Sequence, residues 1–435
     1  MWNWSGKKTE IMEESKPGTN LDARRRRLAN ALWGLFIGDA LAMPAHWIYS
    51  LDKIAALFPG GIDGFRDPPH PHPESFMFKM AYEPDTATAA DLGRPFDILH
   101  QHARFFRSNY APPGLPAGCR KSQNGLFVPT AEERFHYHHG LRKGNNTLNA
   151  HLVRVLMRSV LRKGDYDPEA FLDDFVAHMT TPGKNADPYT EIYLRRWFEN
   201  YSRGLPGPLC AASQRQIWSI GSHGGIIRPL VLSLLAKNPY QGLGLAIEHQ
   251  HLTHRSENVA AALGILVPLL QALVDGQDPL AAMPRAARRL RLPRTTGKKL
   301  SRIYWEYNGP NNIPREEMWD LHTRLAAEPF DLEKMVQEKT DEEVIRGILS
   351  TACYPEHGVP LLLYLARRHD YDLKKALLAN VNAGGDNVHR GMILGLLLGA
   401  AAGEIPDELR RGLTDHRELA NEIDDFAALA IARPF

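Results

Sequence analysis

The sequence predicts a single large all-α domain, and three observations predict it. Apolar residues recur at three- and four-residue intervals in one segment after another, the period of a helix with one buried face. No segment keeps the two-residue alternation of a half-buried strand. With 435 residues, 43% hydrophobic and 23% charged, the chain can build a sizeable core under an ordinary charged surface. Roughly fifteen to twenty helices of typical length account for such a chain. No internal repeat is visible.

Residues 1–19 are polar, with Lys, Glu, Pro and Gly, and read as a disordered tail, which leaves 20–435 as the domain. A long helix is expected from Asn20 or Leu21 to Ala42, stopped by Pro44. Its Arg24–Arg27 run reads as a solvated first turn. Phe58–Pro73 and Ala111–Val128, dense in Pro and Gly, are expected loops, with a short helix in Gly93–Arg107 between them. His70 and His72, separated by a proline, make a poor metal pair.

Helices follow at Leu148–Arg162, after Asp165-Tyr-Asp-Pro168 (stripe Phe171, Phe175, Met179), and over Asp187–Tyr201 (stripe Tyr189, Tyr193, Trp197, Tyr201). Gly221-Ser-His-Gly-Gly225 opens another that runs through Leu235. Leu243–Glu248 and Asn258–Val274 are helical, with His249–His254 in the turn between them. Val344–Leu349, Gly358–Arg368 and Leu373–Asn380 complete the pattern.

Net charge is +2, from 52 basic and 50 acidic residues, so no global field calls for nucleic acid or a membrane surface. Cys119, Cys210 and Cys353 are odd in number, without metal-ligand spacing, which suits a reducing compartment. The N-terminus lacks the apolar core of a signal peptide, and the longest apolar run, Gly391–Gly403, is too short and glycine-rich for a membrane span. A soluble cytoplasmic protein is expected.

The most informative stretch is Ala379–Gly403, a polar turn joined to an apolar helix. Gly384 and Gly385 let the chain bend sharply, and Asp386 or Asn387 is a natural N-cap for that helix. Gly391, Gly395, Gly399 and Gly403 then recur every fourth residue and line one face. Helix-interior glycines cost roughly 1 kcal/mol each relative to alanine, so another backbone is expected against that face. Gly34, Gly38 and Ala42 in the first helix have the same spacing and are the expected partner, which brings Asp39 and Asp386 near one end of the pair.

These two segments resemble the signatures of the ADP-ribosylglycohydrolase family, which includes dinitrogenase reductase-activating glycohydrolases and a jellyfish crystallin. Gly34-Leu-Phe-Ile-Gly38-Asp39-Ala40 is similar to its opening motif; Asn382-Ala-Gly-Gly-Asp386 with Gly395-Leu-Leu-Leu-Gly399-Ala400 is similar to its closing motif and helix. The resemblance spans roughly Leu28 to Leu413 and implies one orthogonal multi-helix all-α domain. It also implies a pair of Mg²⁺ or Mn²⁺ ions among carboxylates and hydroxyls.

At the corresponding positions this chain has His46 for a Glu, Gly144-Asn145-Asn146 followed by Thr147 for a Thr-Asp-Asp run, and Asp386-Asn387-Val388-His389 for Asp-x-Asp-Thr. Asp386 is the one acid that survives, so a dimetal centre is not expected; a single divalent cation on Asp386 with His46 or His389 is the remaining metal option. The candidate catalytic residues are Asp386, as carboxylate, and His46 and His389, as proton donors. Asp39, Asn145, Asn146 and Asn387 are candidate substrate contacts. Ser222, His223, Gly224 and Arg228 are a candidate phosphate cradle at a helix start. His254 is expected to pack or to act near the site. The expected activity is hydrolysis of an N- or O-ribosidic bond in an ADP-ribosyl or related nucleotide substrate. The alternative is a non-catalytic nucleotide-binding or structural member of the fold. The expected partners are a nucleotide-type small molecule or an ADP-ribosylated substrate.

Overall fold

The first helix forms from Pro17 to Ala42 (α1) in the computed structural model, which describes residues 17–73, 82–98, 120–121, 127–128, 135–293 and 326–433. Its start lies three residues inside the expected tail, and a single 3-10 turn, Met43–Ala45, follows it at Pro44. Ser50 accepts from Lys53 N to start α2 (Leu51–Leu57), and Asp85 accepts from Thr88 N to start α3 (Thr86–Asp91). Helix α3 stands before the expected Gly93–Arg107 segment, whose residues 99–107 lie outside the described ones.

Next come α4 (Leu148–Lys163), α5 (Pro168–Thr180), α6 (Ile192–Ser202), α7 (Gly224–Leu232), α8 (Pro239–Thr253), α9 (Glu257–Val274) and α10 (Pro279–Ala287). The C-terminal part holds α11 (Leu332–Glu338), α12 (Asp341–Val344), α13 (Pro355–Arg368), α14 (Leu373–Ala383), α15 (Asn387–Ala401), α16 (Asp407–Arg411) and α17 (His416–Ala432). The expected all-α architecture is present. Two short antiparallel pairs also occur, β1 (Arg120–Lys121) with β2 (Phe127–Val128) and β3 (Arg291–Pro293) with β4 (Ala326–Pro329). They are too short for alternation to be visible in sequence.

Three helix boundaries differ from expectation: α6 begins at Ile192 and not at Asp187, because residues 187–191 run in as an extended lead with Glu191 at the N-cap position. His249 to Thr253 belong to α8, because Asn238 caps a helix that Pro239 opens and nothing interrupts it before His254. Val344 ends α12 rather than starting a helix: Arg346 takes a left-handed φ of 71° and its N–H turns to Leu349 O.

The core is organised on α1 packed against α15. A Cβ added at Gly34 would land on the Gly395 carbonyl oxygen, one at Gly38 on that of Gly391, and one at Gly399 on that of Asn30. The glycines are therefore required by backbone contact, as their spacing predicts. Gly403 does not belong to the seam: a Cβ there meets nothing within 4 Å, and α15 has already ended at Ala401. Asn30 closes the end of the seam by donating to the carbonyls of Ala402 and Gly403.

The arginines of the first turn serve the same packing, Arg24 pairing with Asp275 and Arg27 donating to Val274 O. Asn20–Ala45 and Glu257–Val274 are long and apolar enough to cross a membrane by length and composition, but 94% and 56% of these windows are buried inside the fold.

Candidate functional site

The site assembles where the turn before α15 meets three loops. Gly384 (φ 64°) and Gly385 (φ 68°) turn the chain so tightly that side chains there would meet Ile48 O and Thr351 O. Trp47 N–H donates to Gly385 O and Gly385 N–H to Ile48 O, each at 2.8 Å, so the turn is laced to the 46–48 loop. Trp47 takes a left-handed φ of 63°, unusual for a bulky residue, and its ring lies on His46 with centroids 4.8 Å apart. Asp386 N–H donates to Thr351 O, which adds the 351–353 loop. Buried Arg390 pins the whole turn, donating to Asn380 Oδ1, Thr351 O and Gly384 O.

Asp386 stands at the N-cap position but makes no capping bond. Its carboxylate is taken instead by three imidazoles. His46 Nε2 lies 3.1 Å and His389 Nδ1 2.7 Å from Oδ1, and His223 Nδ1 lies 3.0 Å from Oδ2. All four residues are buried. Burial works against the charge on Asp386, but His389 and the bonds from His223, His389 and His46 outweigh it and hold the carboxyl well below its usual range. Burial also opposes a charge on His389, yet Asp386 and Glu191 together push it up to about 9. At His46 burial wins, lowering it to about 3.

Asp187 and Glu191, from the segment leading into α6, sit among these histidines. Glu191 Oε1 accepts from Ser222 Oγ at 3.1 Å, and its Oε2 accepts from Asn149 Nδ2 at 2.8 Å and lies 3.8 Å from His389 Nε2. The Asn149 amide also stands 2.5 Å from His389 Nε2, between the two. Asp187 accepts from Leu148 N at the start of α4 and lies 2.9 Å from His138 Nδ1. The expectation of a single acid at the site is thus corrected. Sequence reading missed Asp187, Glu191, Asn149 and His138 because they lie outside the three motif segments; an acid four residues before another at a helix start was the one signal.

Several expected contacts go elsewhere. Glu191 occupies the anion position at the start of α7: a Cβ at Gly224 would strike its carboxylate, and Ser222 already donates to it, so Ser222 and Gly224 cradle a side chain of this chain. Arg228 does not face a phosphate. It is buried and donates to Tyr193 Oη at 2.9 Å, Thr253 Oγ1 at 2.7 Å and His249 Nε2 at 3.4 Å.

Asp39 is fully buried and anchors the start of α4, accepting from Thr147 N, Thr147 Oγ1 and Asn146 Nδ2. Burial raises its carboxyl despite those bonds. Asn146 is spent on Asp39 and Phe36 O, and Asn145 donates to Thr414 Oγ1 away from the histidines. Asn387 donates back to Val381 O, and its Oδ1 is buried without a partner. His254 packs on Tyr193, ring centroids 3.9 Å apart, and burial holds it well below its usual value.

His46, Asp386 and His389 bring metal-type donor atoms within 4.8 Å of one another. These residues do not fit the pair of hard cations that the family resemblance implies. Two of the three donors are imidazoles, and the ring nitrogens are directed at the carboxylate itself. The nearby acids are engaged by protein donors.

A sequence model of the ADP-ribosylglycohydrolase family matches residues 20–434. Among solved structures, one described as an ADP-ribosylglycohydrolase-related protein complex superposes with a TM-score of 0.51 at 17% identity, covering 94% of this chain and 99% of that one. No curated protein sequence matches the chain. With the family's opening and closing motifs packed against each other in α1 and α15, and its sequence model spanning the domain, the chain belongs to the ADP-ribosylglycohydrolase family.

Proposed function

We propose that the protein hydrolyses an N- or O-ribosidic bond of an ADP-ribosyl or related nucleotide substrate at the Asp386 cluster. The observation that carries this reading is a buried carboxylate kept ionised by three imidazoles. A fixed negative charge in a dry site stabilises the oxocarbenium-like state at a ribosyl carbon far better than it would in water. Asp386 is too weak a base for water activation, since its affinity for a proton is lowered. Glu191, the least deeply buried acid of the cluster at 7% exposure, takes the water proton.

As the ribosyl–leaving-group bond breaks, its electron pair goes to the leaving atom, which receives the proton held on His389. Water adds to the ribosyl carbon as Glu191 accepts its proton. His46, neutral at physiological pH, orients Asp386 and is not the acid.

The test is turnover of N- and O-linked ADP-ribosyl substrates by wild type and Asp386→Asn, with and without chelator. Wild-type turnover unaffected by chelation and abolished in the variant is the expected result. Inactivity of the wild type on every ribosyl substrate favours the second reading, a nucleotide-binding or structural protein. That reading is supported by one observation: His46, His223, Asp386 and His389 are each at most 1% exposed.

A further inference from the structure

Arg228, Tyr193 and Asn149 form a buried series that ends on Glu191, and the ribosidic chemistry leaves its first two members unused. Arg228 on α7 is buried, and among the described residues no carboxylate touches it. Its acceptors are Tyr193 Oη on α6, and Thr253 Oγ1 and His249 Nε2 on α8. The rings of Phe171 and Tyr193 have their centroids 5.8 and 5.5 Å from the guanidinium carbon. A cation buried without a counter-ion is costly, so a return is expected.

An arginine has five N–H donors and no acceptor, so every hydrogen bond round it can run only outward. His249 therefore accepts at Nε2 and presents its own N–H at Nδ1, 2.9 Å from Tyr166 Oη; burial keeps the ring neutral. Thr253 accepts in the same way and directs its hydroxyl proton to His254 Nδ1, 2.9 Å away. Tyr193, pushed up to about 12 by burial, keeps its proton and donates it to Asn149 Oδ1 at 3.3 Å. The amide oxygen of Asn149 is thereby turned to Tyr193, and its nitrogen donates to Glu191 Oε2 at 2.8 Å. The opposite rotamer would set the amide oxygen against that carboxylate oxygen and leave the tyrosine proton facing an N–H. One of the two amide hydrogens reaches Glu191 whichever form the neighbouring His389 ring takes.

We propose that Arg228 and Tyr193 are positioning residues that fix the Asn149 amide with its nitrogen toward Glu191. That amide on Oε2 and the Ser222 hydroxyl on Oε1 then hold the carboxylate in one orientation for the attacking water. None of His46, Asp386 and His389 is a member of the series, and none of its protons is one that a cation on those three would displace. Arg228 thus acts on the site from a distance, by dictating which way each hydrogen bond between itself and Glu191 runs.

The orientation of the amide stands on these hydrogen bonds; its part in turnover rests on the ribosidic reading. The first test is neutron diffraction from crystals of the full chain exchanged into deuterium oxide, which tells amide nitrogen from oxygen and locates each deuterium. A deuterium between Asn149 Nδ2 and Glu191 Oε2, and another between Tyr193 Oη and Asn149 Oδ1, are the expected result. A reversed amide, or a tyrosine deuterium aimed elsewhere, overturns the proposal, and the wild type decides this even if a variant does not fold. In turnover, Tyr193→Phe keeps the ring and deletes one hydroxyl, and should lower kcat by roughly ten- to a hundredfold with KM unchanged. An unchanged kcat overturns the positioning role. Arg228→Lys, still a donor with no acceptor, should retain more of kcat than Arg228→Gln, which can also accept; equal losses overturn the part assigned to Arg228. An inactive wild type with the deuterium atoms as expected sinks the ribosidic reading and leaves the fixed amide standing.

Discussion

Helix α15 joins two regions that are held together in opposite ways. Along Gly395 and Gly399 the contact is backbone on backbone, and at Gly391 the Gly38 carbonyl shares it with the Asn380 amide. At its N-terminal end the contact is side chain on side chain, with Asp386 receiving imidazoles from the 46–48 loop, from the start of α7 and from α15 itself. The seam leaves no room for an added atom at Gly34, Gly395 or Gly399, whereas the cluster gathers a buried carboxylate and the imidazoles that face it. Packing energy decides the first region, and electrostatics in a dry site decides the second.

Four substitutions or conditions separate these rules, from the largest effect to the smallest. Gly395→Leu breaks the seam, since even a Cβ there would strike the Gly34 carbonyl. Overpacking commonly costs about 1–3 kcal/mol, and backbone on both sides places this case at or above that range. Gly403→Ala, which meets nothing within 4 Å, is the matched control. Chemical denaturation of both variants should show a large loss in the first and none in the second; equal stability would mean that α1 and α15 do not touch there.

Asp386→Asn keeps the shape of the cluster and removes its charge. Turnover should vanish, and stability should fall by about 1–3 kcal/mol as hydrogen bonds to a charged acceptor weaken. An active variant would remove Asp386 from the chemistry. Gly358→Ala tests the cluster from behind, because a Cβ there would overlap His223 Nε2, which has no hydrogen-bond partner. Displacing His223 from Asp386 should slow turnover more than it lowers the melting temperature. A thermal loss with normal kcat would make His223 a packing residue only.

The smallest effect is the dependence of stability on pH. His389 is raised from 6.5 to about 9, so its contribution is complete below pH 6.5 and is lost as pH rises through 9. His46 is lowered from 6.5 to about 3, so its contribution is complete above pH 6.5 and is lost as pH falls toward 3. Asp386, held below its usual range, adds a further loss below pH 3.8. Melting temperatures should therefore decline on both sides of neutrality, and His389→Gln should remove the alkaline limb. An alkaline limb that persists in His389→Gln would assign it to another group.

The helices, the seam and the Asp386 turn were legible in the sequence because each is written in local periodicity. Four-residue spacing puts Gly391, Gly395 and Gly399 on one helix face, and the paired glycines before Asp386 favour a turn. The family resemblance also placed His46 and His389 at positions that accompany Asp386. Spacing does not say which side chains an N-terminal helix end will face.

Tertiary packing gave the start of α7 to Glu191 and the start of α4 to Asp187 and Asp39. Those helix ends were thereby filled by the chain's own anions. The same packing turned Arg228 inward onto Tyr193 and Thr253, and brought His138 onto His46 from 92 positions away. A hydrogen-bonded pair so distant in sequence leaves no periodic trace, because its geometry depends on how separate helices meet. The sequence by itself determined the all-α fold, the backbone seam and the carboxylate at its end; the tertiary structure alone decided which buried groups share that carboxylate, because electrostatic partnership is set by distance in space.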